Sequence, residues 1–154
     1  MLSMAIDFTS LLLASLLVGA MFGVWLIFNP VGLEPAVYTT LLQQGIRTMN
    51  VTMPLLGMAT ILATTAAAVL ARGNGGRLSL LVAAVACFVA ARLVTRFLNQ
   101  PINAIVMAWS VDSPPADWTR FRDEWRRWHM LRSAIGIAGL CLLIAATLDR
   151  AASA

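Results

Sequence analysis

The side chains able to do chemistry in this sequence are gathered between Arg92 and Arg132. That stretch holds seven of the eleven arginines, four of the five tryptophans and the single histidine of a 154-residue chain that is apolar almost everywhere else. Two polar stripes run through it. Arg92, Thr95, Arg96, Asn99 and Asn103 follow at steps of three, one, three and four, so they share a face of one helix end and its continuation. Trp118, Arg122, Trp125, His129 and Arg132 step by four, three, four and three, which makes a second such face. Histidine exchanges a proton near neutral pH, with an unperturbed pKa of ~6.5, and arginine is a permanent cation with a fork of donors. Proton transfer and stabilisation of negative charge are the chemistry these residue types allow. A structural role is the alternative: His129 at the interface, Arg132 snorkelling to the headgroups, and the tryptophans anchoring a helix.

The elements that must position these faces follow from composition. The chain is 60% hydrophobic with a mean hydropathy of +0.81, too apolar for a soluble domain. A helix needs about 20 residues to cross the hydrocarbon core, and four runs are long enough: 8–28, 51–71, 78–98 and 131–148. The spacing predicts an all-α integral membrane four-helix bundle, one domain over 1–154, with short interfacial helices in the two longer loops.

Charge and cysteine usage exclude other classes. The net charge of +4 comes from arginine alone, and long apolar runs replace the solvated basic face of a nucleic-acid binder, so no nucleic acid is expected. Cys87 and Cys141 fall inside spans and are not spaced as C-x-x-C, which argues against a quinone-linked disulfide enzyme and for buried structural thiols. A transporter built from repeated halves would show paired helix breaks, and one is evident here.

Along the chain, the lack of a basic residue before Arg47 makes the first run a retained span rather than a secretory signal. Gly19 and Gly23 form a small-xxx-small pair suited to close helix packing. Asn29-Pro30 should end that span. After Pro35 comes a polar helix with Tyr38, Gln43, Gln44, Arg47 and Asn50, either a solvated loop helix or a lid lining a pocket. The glycine-rich turn between Arg72 and Arg77 should join spans two and three as a tight hairpin. The third span must continue through Arg92 and Arg96 to reach bilayer length. An arginine at the bilayer centre costs ~2.5–3.5 kcal/mol, so both belong near the helix end, either snorkelling or facing inward with Thr95 and Asn99. Pro101 should break and restart the helix, and Asp117 is placed to cap the amphipathic helix 118–129. The termini and the 72–77 turn share one side, with Arg72, Arg77 and Arg150; the expectation is termini in the cytoplasm of a bacterial cell.

The arrangement T-R-F-L-N-Q-P-I-N at 95–103, followed by W-x6-W-x2-W-H-x2-R at 118–132 and a last apolar helix, resembles the anthrone oxygenase-like integral membrane family. By that resemblance Asn99, Pro101, Asn103, Trp125, Trp128, His129 and Arg132 occupy signature positions, with His129 where the family often carries asparagine. The resemblance implies oxidation of anthrones to anthraquinones with molecular oxygen as co-substrate. No cofactor is expected: the sequence has no G-x-G-x-x-G after a strand, and one histidine without a nearby cluster of Asp, Glu or Cys falls short of the roughly three ligands of a catalytic metal. The catalytic candidates are His129 as base with Arg132 and Arg96 on the oxyanion. The substrate-binding candidates are Asn99 and Asn103 as donors and Trp125, Trp128 and Trp118 as ring faces. Expected partners are membrane lipid and an apolar aromatic small molecule, and a homo-oligomer is compatible with the sequence. The other reading is a non-catalytic scaffold or small subunit of a membrane complex.

Overall fold

Apolar length, proline placement and one glycine-rich turn set the elements. The computed structural model describes residues 1–27 and 32–152, so the break expected at Asn29-Pro30 lies outside the described residues. The helices are α1 (Leu2–Ile27), α2 (Pro35–Met49), α3 (Thr52–Leu70), α4 (Gly75–Val94), α5 (Gln100–Met107) and α6 (Trp118–Ala152), with a π turn at Thr95–Asn99 between α4 and α5. Four stretches are long and apolar enough to cross a bilayer: Leu2–Leu26, Thr52–Leu70, Gly75–Met107 and Trp118–Asp149. The fold is an all-α integral membrane four-helix bundle.

In the bundle α1 packs on α3 and α6, and α4 packs on α3 and α6, so every neighbouring pair runs antiparallel. Leu55, Leu62, Val82, Val89 and Leu148 are exposed, as lipid contact requires. The threonines of α3 satisfy themselves inside the helix: Thr60, Thr64 and Thr65 donate to the carbonyls of Leu56, Thr60 and Ile61. At the turn into α4 the Asn74 side chain accepts from the Arg77 amide at 3.0 Å, which makes Asn74 an N-cap and closes the expected hairpin.

Several expectations change. Gly19 and Gly23 have nothing within 4 Å of where a Cβ would sit; close packing instead uses Gly139, whose Cβ would lie 3.0 Å from both Cys87 Cβ and Phe88 Cε1. Spacing alone cannot say which face meets a neighbour. Cys141 is exposed and Cys87 half-buried, so neither is a buried thiol: Cys87 sits at the α4–α6 contact, while Cys141 lies on the outward face of α6. Helix α2 is not a solvated loop helix, since Tyr38, Thr39, Leu42 and Gln43 are buried and it packs on α5.

Pro101 does not break the helix. It has no N–H to offer the Phe97 carbonyl, and the chain absorbs the defect as the π turn, closed by the Gln100 amide donating to the Thr95 carbonyl. The second long loop therefore contains no separate interfacial helix: α5 continues the third span, and the amphipathic 118–129 segment is the first part of α6.

Candidate polar site between two apolar clusters

The hydrophobic interior is in two parts. The lower cluster includes Ala14, Val18, Leu81, Ala84, Phe88 and Leu143. The upper cluster comprises Tyr38, Leu42, Ile102, Val106 and Trp125, with Trp109, Trp118, Phe121 and Trp128 packed against it. Between them α4, the π turn and α6 contribute polar side chains. Since α4 is 20 residues long, ~30 Å at 1.5 Å per residue, the π turn follows one bilayer-crossing length of helix.

The centre of this layer is His129, which is 2% exposed. Its Nε2 lies 3.1 Å from the Met21 carbonyl of α1, and its Nδ1 lies 2.8 Å from Arg132 Nη2 and 3.2 Å from Arg132 Nε. A guanidinium only donates and a carbonyl only accepts, so these contacts select the neutral imidazole with the proton on Nε2. The ring is stacked on Trp125, centroids 5.0 Å apart and planes 3° from parallel. Arg132 also donates from Nη1 to Thr95 Oγ1 at 3.2 Å, and Thr95 donates in turn to the Ala91 carbonyl. Ser133 donates to the His129 carbonyl at 2.8 Å.

Around this pair, Asn99 is buried and its Nδ2 donates to the Trp125 carbonyl at 3.2 Å. The Trp125 indole N–H donates to Asn103 Oδ1 at 2.9 Å. Within this layer, Asn99 Oδ1 and Trp128 Nε1 are buried atoms with no hydrogen-bond partner among the described residues. The ion pairs among the described residues are Arg77 with Asp7 and Arg122 with Asp123; Arg132 has no carboxylate beside it. The layer thus presents a cation without a counterion, one free acceptor and one free donor. The cation and the donor would attract an anion, and the acceptor a hydroxyl.

The structure therefore brings together Asn99, Asn103, Trp125, His129 and Arg132, with Trp128 beside them. It does not bring Arg96 to them. Arg96 is exposed, its guanidinium 5.9 Å from the Phe97 ring centroid; adjacent helical positions differ by about 100°, and Thr95 takes the inward one. Arg92 reaches the Pro54 carbonyl of α3 at 3.3 Å. Trp118 lies in the upper cluster against Tyr38, ring centroids 5.3 Å apart, with the Arg122 guanidinium 5.0 Å from its own ring centroid.

Sequence reasoning missed the Met21 carbonyl, Thr95 as a holder of Arg132, and the role of α2. Gln43 donates from Nε2 to the carbonyls of Val106 at 2.9 Å and Trp109 at 3.0 Å, and so ties α2 to the C-terminal end of α5, where α-helical i→i−4 donors run out. Tyr38 is fully buried; burial pushes its phenol well above the ordinary range, against the smaller opposing pull of Arg122. The polar residues of α2 were the available signal. Among the described residues no group of three His, Cys, Asp or Glu is placed to hold a metal ion.

A family model described as anthrone oxygenase matches residues 43–142. No curated protein and no solved structure matches. The matched stretch begins at Gln43, includes the π turn and ends on α6, so it contains every residue of the polar layer except Met21. With that much of the sequence covered, the chain belongs to the anthrone oxygenase family.

Proposed function

We propose that the polar layer oxidises an electron-rich, polycyclic aromatic substrate with molecular oxygen, without a resident cofactor, in a bacterial cell membrane. The observation that carries this reading is Arg132, a half-buried guanidinium held by a neutral imidazole and a hydroxyl, with no carboxylate beside it. A cation left uncompensated beside apolar clusters favours whatever brings negative charge to it.

For an anthrone the steps balance without a further reactant. The substrate oxygen takes donors from Arg132, which frees the His129 Nδ1 lone pair to accept a proton from C10. The electron pair left behind delocalises onto the oxygen facing Arg132. The resulting anion gives an electron to O2, and the two radicals combine at C10. His129 returns its proton to make the hydroperoxide, and loss of water with the second C10 hydrogen leaves the quinone carbonyl. One O2 is consumed and one water formed per anthrone. Asn99 Oδ1 and Trp128 Nε1 are available to ring hydroxyls and their anions, and the Trp125 indole backs the imidazole. Arg96 and Trp118 have no part in these steps.

Oxygen uptake tests this reading. Protein in nanodiscs is given an anthrone such as emodin anthrone, beside empty nanodiscs and an Arg132→Ala/His129→Ala variant. Uptake well above both controls, with quinone formed, supports an oxygenase using this layer. Uptake equal to empty nanodiscs removes anthrone as substrate and moves the weight to a non-catalytic scaffold, the reading that the outward Arg96 favours.

A further inference from the structure

The orientation expected from sequence rests on Arg72, Arg77 and Arg150. The structure removes one of these from the count. Arg77 is 6% exposed and donates from Nη2 to both carboxylate oxygens of Asp7, at 2.6 and 2.8 Å, so it presents no cation to a membrane surface. At the opposite end of the bundle four arginines are neither buried nor paired. Arg47, Arg96, Arg120 and Arg127 are exposed, and among the described residues none of them lies within ion-pair distance of a carboxylate.

Three of these four share a second feature. The guanidiniums of Arg96, Arg120 and Arg127 lie 5.9, 4.9 and 5.0 Å from the ring centroids of Phe97, Phe121 and Trp128, each the next residue in the chain. A ring contact engages the flat face of a guanidinium and leaves its N–H edge open. That edge is the part that fits a phosphate bidentately. The level also suits a headgroup: Arg96 lies in the π turn, one bilayer-crossing length of helix after Gly75, and Phe97 beside it is 65% exposed.

We propose that this end of the bundle, carrying Arg96, Arg120 and Arg127, binds anionic phospholipid headgroups and faces the cytoplasmic leaflet, with the chain termini on the other side. Phosphates at the boundary supply the counter-charge that the protein does not. An anionic surface on the cytoplasmic side attracts arginines near span ends, and the structure exposes most of them at the α2 end. The proposal is independent of the oxidation chemistry, since none of the three arginines belongs to the polar layer.

The test compares thermal midpoints of the protein in nanodiscs of pure phosphatidylcholine and of equal parts phosphatidylcholine and phosphatidylglycerol. The midpoint should be higher with phosphatidylglycerol, and Arg96→Gln/Arg120→Gln/Arg127→Gln should shrink that gap by more than half. Arg72→Gln at the opposite end should leave it intact. Equal midpoints in the two lipids, or a triple variant that keeps the whole gap, overturns the headgroup surface. For orientation, Ser113→Cys in a Cys87→Ser/Cys141→Ser background should react with a membrane-impermeant maleimide in opened cells only. Labelling in intact cells overturns the cytoplasmic placement.

Discussion

Arg132 Nη2 stands 2.8 Å from His129 Nδ1, and this contact fixes the imidazole in one tautomer, its single proton committed to the Met21 carbonyl. The base and the cation of the proposed reaction are therefore one unit in the resting protein. Arg132 occupies the lone pair of His129 Nδ1 until something with negative charge enters.

Asparagine at 129 separates the two roles of the histidine. Its amide can accept from Arg132 and donate to Met21, yet it cannot take a proton. We expect His129→Asn to fold with a thermal midpoint close to the parent while oxygen uptake falls by about 10²–10⁴, the usual contribution of a general base. Uptake within a few-fold of the parent would mean that His129 only holds Arg132 in place.

The Asp7–Arg77 pair stabilises the end of the bundle remote from the site. Removing one partner leaves a buried charge alone, which costs about 3–5 kcal/mol, whereas replacing both with apolar residues is often neutral. Asp7→Asn should sharply reduce the thermal midpoint in detergent, and Asp7→Leu/Arg77→Met should recover most of it. Since Asp7 lies 14 residues before Met21 on α1, about 21 Å at 1.5 Å per residue, the double variant should keep its oxygen uptake.

Gly139 is the glycine the packing needs. A methyl there would press on Cys87 and Phe88 at 3.0 Å, so Gly139→Ala should destabilise by about 1–3 kcal/mol, as overpacking does. Gly19→Ala and Gly23→Ala meet nothing and should be close to neutral. Thermal unfolding of the three variants decides it.

Tyr38 gives a pH signature that is easy to read, because it is the only tyrosine. Burial raises its phenol pKa in the folded state, so the folded protein binds a proton that the unfolded chain releases above the ordinary value of ~10. Stability from this group is complete below that pH and is lost as the pH rises past it. Absorbance of tyrosinate should therefore be delayed in the native protein and appear together with loss of helicity. Tyrosinate forming near pH ~10 in an otherwise intact fold would show that the upper cluster admits water.

Hydropathy was enough to find four membrane helices, because bilayer thickness imposes a length that composition alone can meet. Helical spacing was enough to align Thr95, Asn99 and Asn103 on one face and Trp125, His129 and Arg132 on another. It failed for Arg96, one position from Thr95, because a stripe containing adjacent residues spans a wide arc and only packing says which edge turns inward. It could not see Gln43 meeting Val106 and Trp109, or Asp7 meeting Arg77 across 70 residues, since such pairs leave no local pattern. Pro101 marked an irregularity correctly, but whether a helix breaks or widens depends on the carbonyls around it.

The π turn also sets the phase of everything that follows it. It carries one residue more than an α-helical turn would need, so removing a residue from 95–99 would rotate the remainder of that helix by about 100°. Asn103 would no longer meet the Trp125 indole, and the carbonyls that Gln43 grips would swing away from α2. The extra residue acts as an angular offset between the membrane-embedded half of the molecule and its cap, and a shortened chain could keep all four spans and still lose the alignment of the site.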